Sequence, residues 1–168
     1  MIAGDFRAAW PDYFDVIAEI EWSHPVSHEH LFSAGIPEND TAYFYSIVAE
    51  SRGEWWPYYI GMTCKQTVAK RNQQPDHQVR LAALQESHPS LKFMLTLGTP
   101  MFERGSPSDE VIGFMEGLLI YGNWHEEMVN LKKIQTFNSV RHVFIQNIGW
   151  SHHVEPELAF GVFYKGRA

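Results

Sequence analysis

The chain of 168 residues holds a single cysteine, Cys64. One thiol cannot close an intramolecular disulfide, so no disulfide framework carries the fold and the sequence suits a reducing, cytoplasmic compartment. No stretch approaches the roughly eighteen uninterrupted apolar residues of a membrane-spanning helix, so no membrane partner is expected. The opening residues MIAGDFRAAWPDYFDV lack the basic-then-apolar order of a secretory signal. Internal repeats, low-complexity runs and a clear linker are missing too, so residues 1–168 read as one domain able to bury a core.

Basic charge is scarce overall, with a formal net charge of −7. That average argues against non-specific polyanion binding, which leaves a basic footprint. The distribution is uneven. Residues 1–57 carry Arg7 and Arg52 against ten acidic side chains, net −8, whereas residues 58–104 carry six basic side chains against three acidic, net +3. A basic segment thus sits inside an acidic protein, either as ordinary fluctuation or as a phosphate-facing surface.

Apolar periodicity and turn signals give an α/β alternation. DFRAAWPDYFDVIAEIEW spaces its apolar residues roughly as a helix does and is broken by Pro11, so residues 1–41 are expected to form an N-terminal helical arm. TAYFYSIVAE and WWPYYIGMT are aromatic and β-branched, and SRGE between them supplies a turn, which predicts a hairpin over 42–62. KQTVAKRNQQ and DHQVRLAALQES read as helices, the second capped at Asp76, and LKFMLTLG reads as a strand. SPSDEVIGFMEGLLIYG opens on serine and proline with an acidic first turn, a helix-start pattern. RHVFIQNIG and ELAFGVFYKG read as two further strands, joined through WSHHVEP.

Side chains alternate across a strand, so Tyr43, Tyr45 and Ile47 are expected on one face and Tyr59 and Gly61 on one face of the partner strand. Two phenols can then meet across the pair, with Gly61 leaving space beside them. Aromatic residues also fill sheet cores for packing alone.

A hairpin with tyrosine on each strand, the tripeptide YIG at 59–61, a helix with arginine twelve positions after its tyrosine, a third strand, and a helix bearing a glutamate resembles the GIY-YIG nuclease superfamily. The resemblance covers residues 42–138. It implies a three-stranded mixed sheet flanked by helices, here with residues 139–168 as an added C-terminal strand extension. In YFYSI, Tyr45 followed by Ile47 looks like the tyrosine and aliphatic of the first motif, with Tyr43 the rival for that role. The first motif's leading glycine is absent, the spacer to Tyr59 is about three residues longer than the common pattern, and Met62 stands where many relatives carry lysine.

The resemblance implies a metal-dependent endonuclease acting on DNA, with Tyr45 as general base, Tyr59 orienting water or phosphate, and Arg71 and His77 on the phosphate. Arg71 also suits the carboxyl end of a short helix for the helix dipole alone, and His77 suits an exposed helix start. A guanidinium stays charged and matches phosphate oxygens with paired donors. Lys65 and Lys70 add phosphate contacts. Glu116 has Ile112, Gly113, Leu119 and Ile120 as its helical neighbours, an apolar setting in which a carboxylate needs a cation. That cation is either an arginine such as Arg80 or Arg104 or, as the family implies, a divalent metal; Mg²⁺ or Mn²⁺ suits a site of one carboxylate plus water and substrate oxygens. Asn138 falls where relatives carry an asparagine near the site.

Two clusters stand outside this set. His24, His28 and His30 with His152 and His153 match no strong zinc spacing, and Trp55, Trp56, Trp124 and Trp150 suit either base stacking or packing. A second class of function stays open, since the acidic N-terminal residues repel DNA. The chain then reads as a catalytically silent protein-interaction module, or as a nuclease restrained until a regulatory protein partner covers its acidic arm; an RNA-cleaving toxin-type nuclease is a further alternative. A site-specific DNA enzyme would work as a homodimer, because two-fold targets favour symmetric proteins.

Overall fold

The computed structural model describes residues 14–27, 43–63, 70, 74–130 and 141–161. They form one mixed sheet with a helix packed on each face. Its strands are β1 (Val16–Trp22), β2 (Val26–Ser27), β3 (Phe44–Ser51), β4 (Glu54–Met62), β5 (Met94–Arg104), β6 (Val143–Gly149) and β7 (Glu157–Phe160), with helices α1 (Pro75–Ser87) and α2 (Asp109–Gly122). The order across the sheet is β4-β3-β5-β1-β6-β7, with β2 paired to β5. Only β1 and β6 run parallel; every other pairing is antiparallel.

The N-terminal helix is corrected where it falls on described residues, because 16–22 is an inner strand flanked by β5 and β6. Val16, Ala18, Ile20 and Trp22 alternate into the main core, a period of two that the apolar spacing upstream of Pro11 obscures. The expected three-stranded sheet is therefore seven-stranded. The α/β class stands, as do the 42–62 hairpin, the strand at 94 and the two C-terminal strands, of which the second is described over 157–160. The helix expected to be capped by Asp76 starts instead at Pro75 with Gln74 at the cap position, because proline suits the first helical turn, and Asp76 lies within that turn. The helix after Pro107 starts two residues later than its first serine suggests, since Ser108 is the cap and its Oγ accepts from Val111 N at 3.2 Å. The remainder of the arm and most of KQTVAKRNQQ lie outside the described residues.

Two apolar clusters occupy the two faces. Phe44 and Ile60 join the α2 residues Ile112, Met115 and Leu119 in one, while Tyr45 and Tyr59 join Leu81 and Leu84 of α1 in the other. Neighbouring strand residues point to opposite faces, so α1 covers the phenol side and α2 the other. Long β5 ties the halves together: it pairs β3 over 94–98 on one edge and β1 over 98–104 on the other. At their junction Gly98 pairs with both Phe44 and Trp22, and a Cβ there would lie 2.9 Å from Ile20 Cγ2.

Candidate functional site

The β3–β4 hairpin turns on Arg52 and Gly53, whose φ values of 56° and 82° give the left-handed pair of a two-residue turn that matches strand twist. The turn fixes the register, which sets Tyr45 opposite Gly61 and Ile47 opposite Tyr59. A bulge follows: Val48 pairs with Pro57, leaving Tyr58 as the extra residue, so Tyr58 and Tyr59 both join the α1-side cluster. Pro57 is tolerated because β4 is a terminal strand of the sheet.

The expected meeting of phenols is present. The Tyr45 and Tyr59 rings lie 5.8 Å apart, centroid to centroid. A Cβ at position 61 would lie 2.6 Å from Tyr45 Cζ and Oη and 2.8 Å from Tyr59 Cε1, so glycine there makes the room. Tyr43 is corrected in placement, since it precedes β3 and packs against the α2-side cluster, away from its expected partners Tyr45 and Ile47. Tyr45, not Tyr43, faces Tyr59.

His77, on the first turn of α1, is buried rather than solvent-facing. Its Nε2 lies 3.1 Å from Tyr45 Oη, its ring stands 5.5 Å from that of Tyr59, and Asp76 Oδ2 lies 3.9 Å from Nε2. The Tyr45 hydroxyl therefore has an imidazole as proton partner, and that imidazole has a carboxylate beside it. One turn on, Arg80 sets its guanidinium carbon 4.5 Å from the centre of the Tyr59 ring, and its buried Nη1 has no hydrogen-bond partner among the described residues. This residue was weighed in the sequence only as an ion-pair partner for Glu116. Its position three residues after His77, on the same helical face, is the signal that could have found it.

Two asparagines matter differently. Asn138, Arg71 and Lys65 lie outside the described residues, and Lys70 is exposed. Asn130, which sequence reasoning passed over, is buried and brackets Ile60: its Oδ1 accepts from Ile60 N at 3.0 Å and its Nδ2 donates to Ile60 O at 2.7 Å. Val129 N donates to Tyr58 O at 2.9 Å. Residues 129–130 thus satisfy backbone groups on the outer edge of β4 and hold Tyr59 and Gly61 in place.

Neighbouring phenols are not equivalent. Burial first, and then the Glu127 carboxylate that accepts from its hydroxyl at 3.4 Å, raise the Tyr58 pKa above the usual value near 10. Tyr58 is accordingly held protonated.

Glu116 is half-buried on α2, the helix whose apolar side packs on the sheet face opposite Tyr45. The sheet lies between this helix and the phenols, so Glu116 is not brought together with Tyr45, Tyr59 and His77. Among the described residues no group of three or more His, Cys, Asp or Glu gathers to hold a metal. An all-protein cage is thus not what these residues build; a single carboxylate fits the mostly hydrated binding of Mg²⁺. No helix among the described residues is long and apolar enough to cross a membrane. No family model, curated protein or solved structure matches the chain.

Proposed function

We propose that the chain is a metal-dependent endonuclease of GIY-YIG type that hydrolyses phosphodiester bonds in DNA. The observation that carries this reading is the convergence of Tyr45, Tyr59 and His77 around Gly61, with Tyr45 Oη 3.1 Å from His77 Nε2. A free phenol has a pKa of about 10 and is a poor base at neutral pH. An adjacent neutral imidazole takes the phenolic proton, and the tyrosinate so formed accepts a proton from the attacking water. The resulting hydroxide attacks phosphorus in line, the P–O3′ bond breaks, and the 3′ oxygen leaves with the proton that the imidazolium releases, giving a 5′ phosphate and a 3′ hydroxyl and returning Tyr45 and His77 to their starting states.

Arg80 supplies what the anion needs. Its Nη1 is buried without an acceptor among the described residues, and a phosphate oxygen would satisfy it with a charge-assisted hydrogen bond. Tyr59, held beneath that guanidinium, orients the phosphate or the water. By the resemblance Glu116 is the residue that would hold Mg²⁺ or Mn²⁺, an ion that would supply Lewis-acid neutralisation of charge on phosphate oxygens. It stands on the opposite sheet face, so the reading rests on the phenol–imidazole cluster and not on this carboxylate. In this reading Arg71 and Lys65 add positive charge from the basic central segment.

A second reading has one observation in its favour. Tyr45 exposes none of its surface and His77 exposes 3%, as a purely structural hydrogen bond in a catalytically silent interaction module would. The experiment that separates the two is digestion of single-stranded DNA, duplex DNA and RNA with Mg²⁺ or Mn²⁺, followed by end-mapping of the products. Metal-dependent 5′-phosphate ends, lost in Tyr45→Phe and in Glu116→Ala, support the nuclease. Cleavage confined to RNA moves the reading to a toxin-type nuclease. Undiminished cleavage in both variants, or none by the unaltered chain, ends the proposal.

A further inference from the structure

A cleft of about 510 Å³ lies at the turn end of the hairpin, where β4 begins, α2 ends and the β6–β7 connection passes. Its walls include Trp55, Trp56, Trp124, His153, Glu54 and Glu155. The volume falls within the range of small-ligand sites, which run from about 300 to 1,000 Å³. The indoles of Trp56 and Trp124 are 40% and 46% exposed. Large aromatic surfaces left in water beside a concavity are a feature of binding sites rather than of cores.

The wall is built in advance of any ligand. Trp55 packs edge-on against Trp150 with ring centres 4.9 Å apart, Trp150 stacks on His153 at 5.4 Å, and His153 stands edge-on to Trp22 at 4.7 Å. Trp22 Nε1 donates to Asn147 Oδ1 at 2.9 Å, and Asn147 Nδ2 donates to Glu155 O at 2.7 Å. Glu155 N in turn donates to Asn123 Oδ1 at 2.6 Å, while Asn123 Nδ2 donates to Leu119 O at 2.8 Å. Two asparagines thus fasten the connection to β6 and to the end of α2. Such pinning lowers the ordering cost of binding.

Charge and hydrogen-bonding capacity choose the ligand. The lining contains the carboxylates of Glu54 and Glu155 and, among the described residues, no lysine or arginine. A phosphate-bearing ligand is therefore repelled. His153 is 3% exposed, and among the described residues neither of its ring nitrogens has a hydrogen-bond partner. Burial, and then the neighbouring His152, hold its pKa down at about 3, so the ring is neutral and keeps an acceptor nitrogen. The site offers indole faces and two carboxylates against a wall that contains a neutral, buried imidazole. That lining suits a flat cation with several N–H donors.

We propose that this cleft binds a guanidinium group, which stacks on the indoles of Trp56 and Trp124 and is held by the carboxylates of Glu54 and Glu155. Guanidinium is planar and weakly hydrated, stacks on aromatic faces, and presents five donors. Ammonium matches only the charge. The group comes either from a small free cation or from an arginine of a partner polypeptide, and the test distinguishes these. None of its residues belongs to the Tyr45–His77 cluster, so the cleft stands or falls independently of the nuclease reading.

The test is titration of the full chain with agmatine against N-carbamoylputrescine, in which a urea replaces the guanidinium, and with a Gly-Arg-Gly peptide against its citrulline counterpart, followed by indole fluorescence and the indole N–H signals in NMR. Saturable binding is expected, with the citrulline peptide weaker by about tenfold or more, the scale of one cation–aromatic contact. Trp124→Ala and the pair Glu54→Gln with Glu155→Gln should each weaken it about tenfold. Because Trp124 is exposed, its removal should leave the melting temperature in place, so lost binding is not lost folding. Tighter binding of the peptide than of agmatine assigns a polypeptide source; the reverse assigns a small free cation. Equal binding of arginine and citrulline, an unaffected Trp124→Ala variant, or no saturation by either cation would overturn the assignment.

Discussion

Tyr45 and Gly61 face each other across β3 and β4, and the tyrosine ring occupies the volume that any side chain at 61 would need. This contact joins the fold to the proposed chemistry, because the same ring carries the hydroxyl that meets His77.

Gly61→Ala is therefore expected to destabilise the chain by about 1–3 kcal/mol, the cost of overpacking a filled core. Its Cβ would stand 2.6 Å from both Tyr45 Cζ and Oη, and the sealed ring has no free space to retreat into. Denaturant unfolding measures the loss. Combining the substitution with Tyr45→Leu, which removes the ring, should recover part of it; purely additive losses would show that the glycine serves something other than the tyrosine.

The hairpin and this contact were legible in the sequence because both rest on local rules: a turn glycine at 53, period-two alternation, and a missing side chain opposite a ring. What alternation could not reveal was the bulge at Tyr58, which puts Tyr58 and Tyr59 on the same face. Tyr43 was misplaced for a related reason, since alternation holds only within a strand and β3 begins at Phe44. Strand β1 was misread because apolar residues upstream of Pro11 imposed a helical spacing on a window whose second half alternates. Its burial between β5 and β6 depends on partners 76 to 127 residues away, as from Trp22 to Gly98 and from Val16 to Val143, which no local pattern encodes. Asn130 escaped notice because its role is to meet the backbone of Ile60, a long-range match with no signature of its own.

Asn130→Ala removes two hydrogen bonds to a buried edge and should cost about 1–3 kcal/mol, since the Ile60 backbone groups lose their partners. Hydrogen exchange at the Ile60 amide reads this directly. Protection there should fall well beyond any global change; an unchanged exchange rate would mean that this asparagine does not hold the edge strand.

Acid sensitivity follows from His153. Its folded pKa, about 3, lies below the ordinary value of 6.5. Between those values the unfolded chain binds a proton that the folded chain does not, so stability rises with pH across this window and is lost progressively as pH falls from about 6.5 toward 3. Replacement by phenylalanine, which can occupy the same space between Trp22 and Trp150, removes the titrating group. The variant's melting temperature is expected to fall less than that of the unaltered chain between pH 7 and pH 4.5; parallel declines would place the acid sensitivity elsewhere.

Arg80 sets stability against function. Its guanidinium lies over Tyr59 with Nη1 buried and unpaired among the described residues, so it forfeits a hydrogen bond that water would have given it. Arg80→Met keeps the packing stem over the ring and removes the polar nitrogen. The prediction is a melting temperature equal to or above that of the unaltered chain, together with a cleavage rate lowered by about tenfold or more, the usual weight of a charge-assisted hydrogen bond to an oxyanion. Functional sites commonly carry this opposition, because a group poised for a charge that arrives only with substrate is poorly satisfied until then. A variant that cleaves normally while melting lower would make Arg80 a packing residue, its cation–ring contact with Tyr59 serving the fold alone.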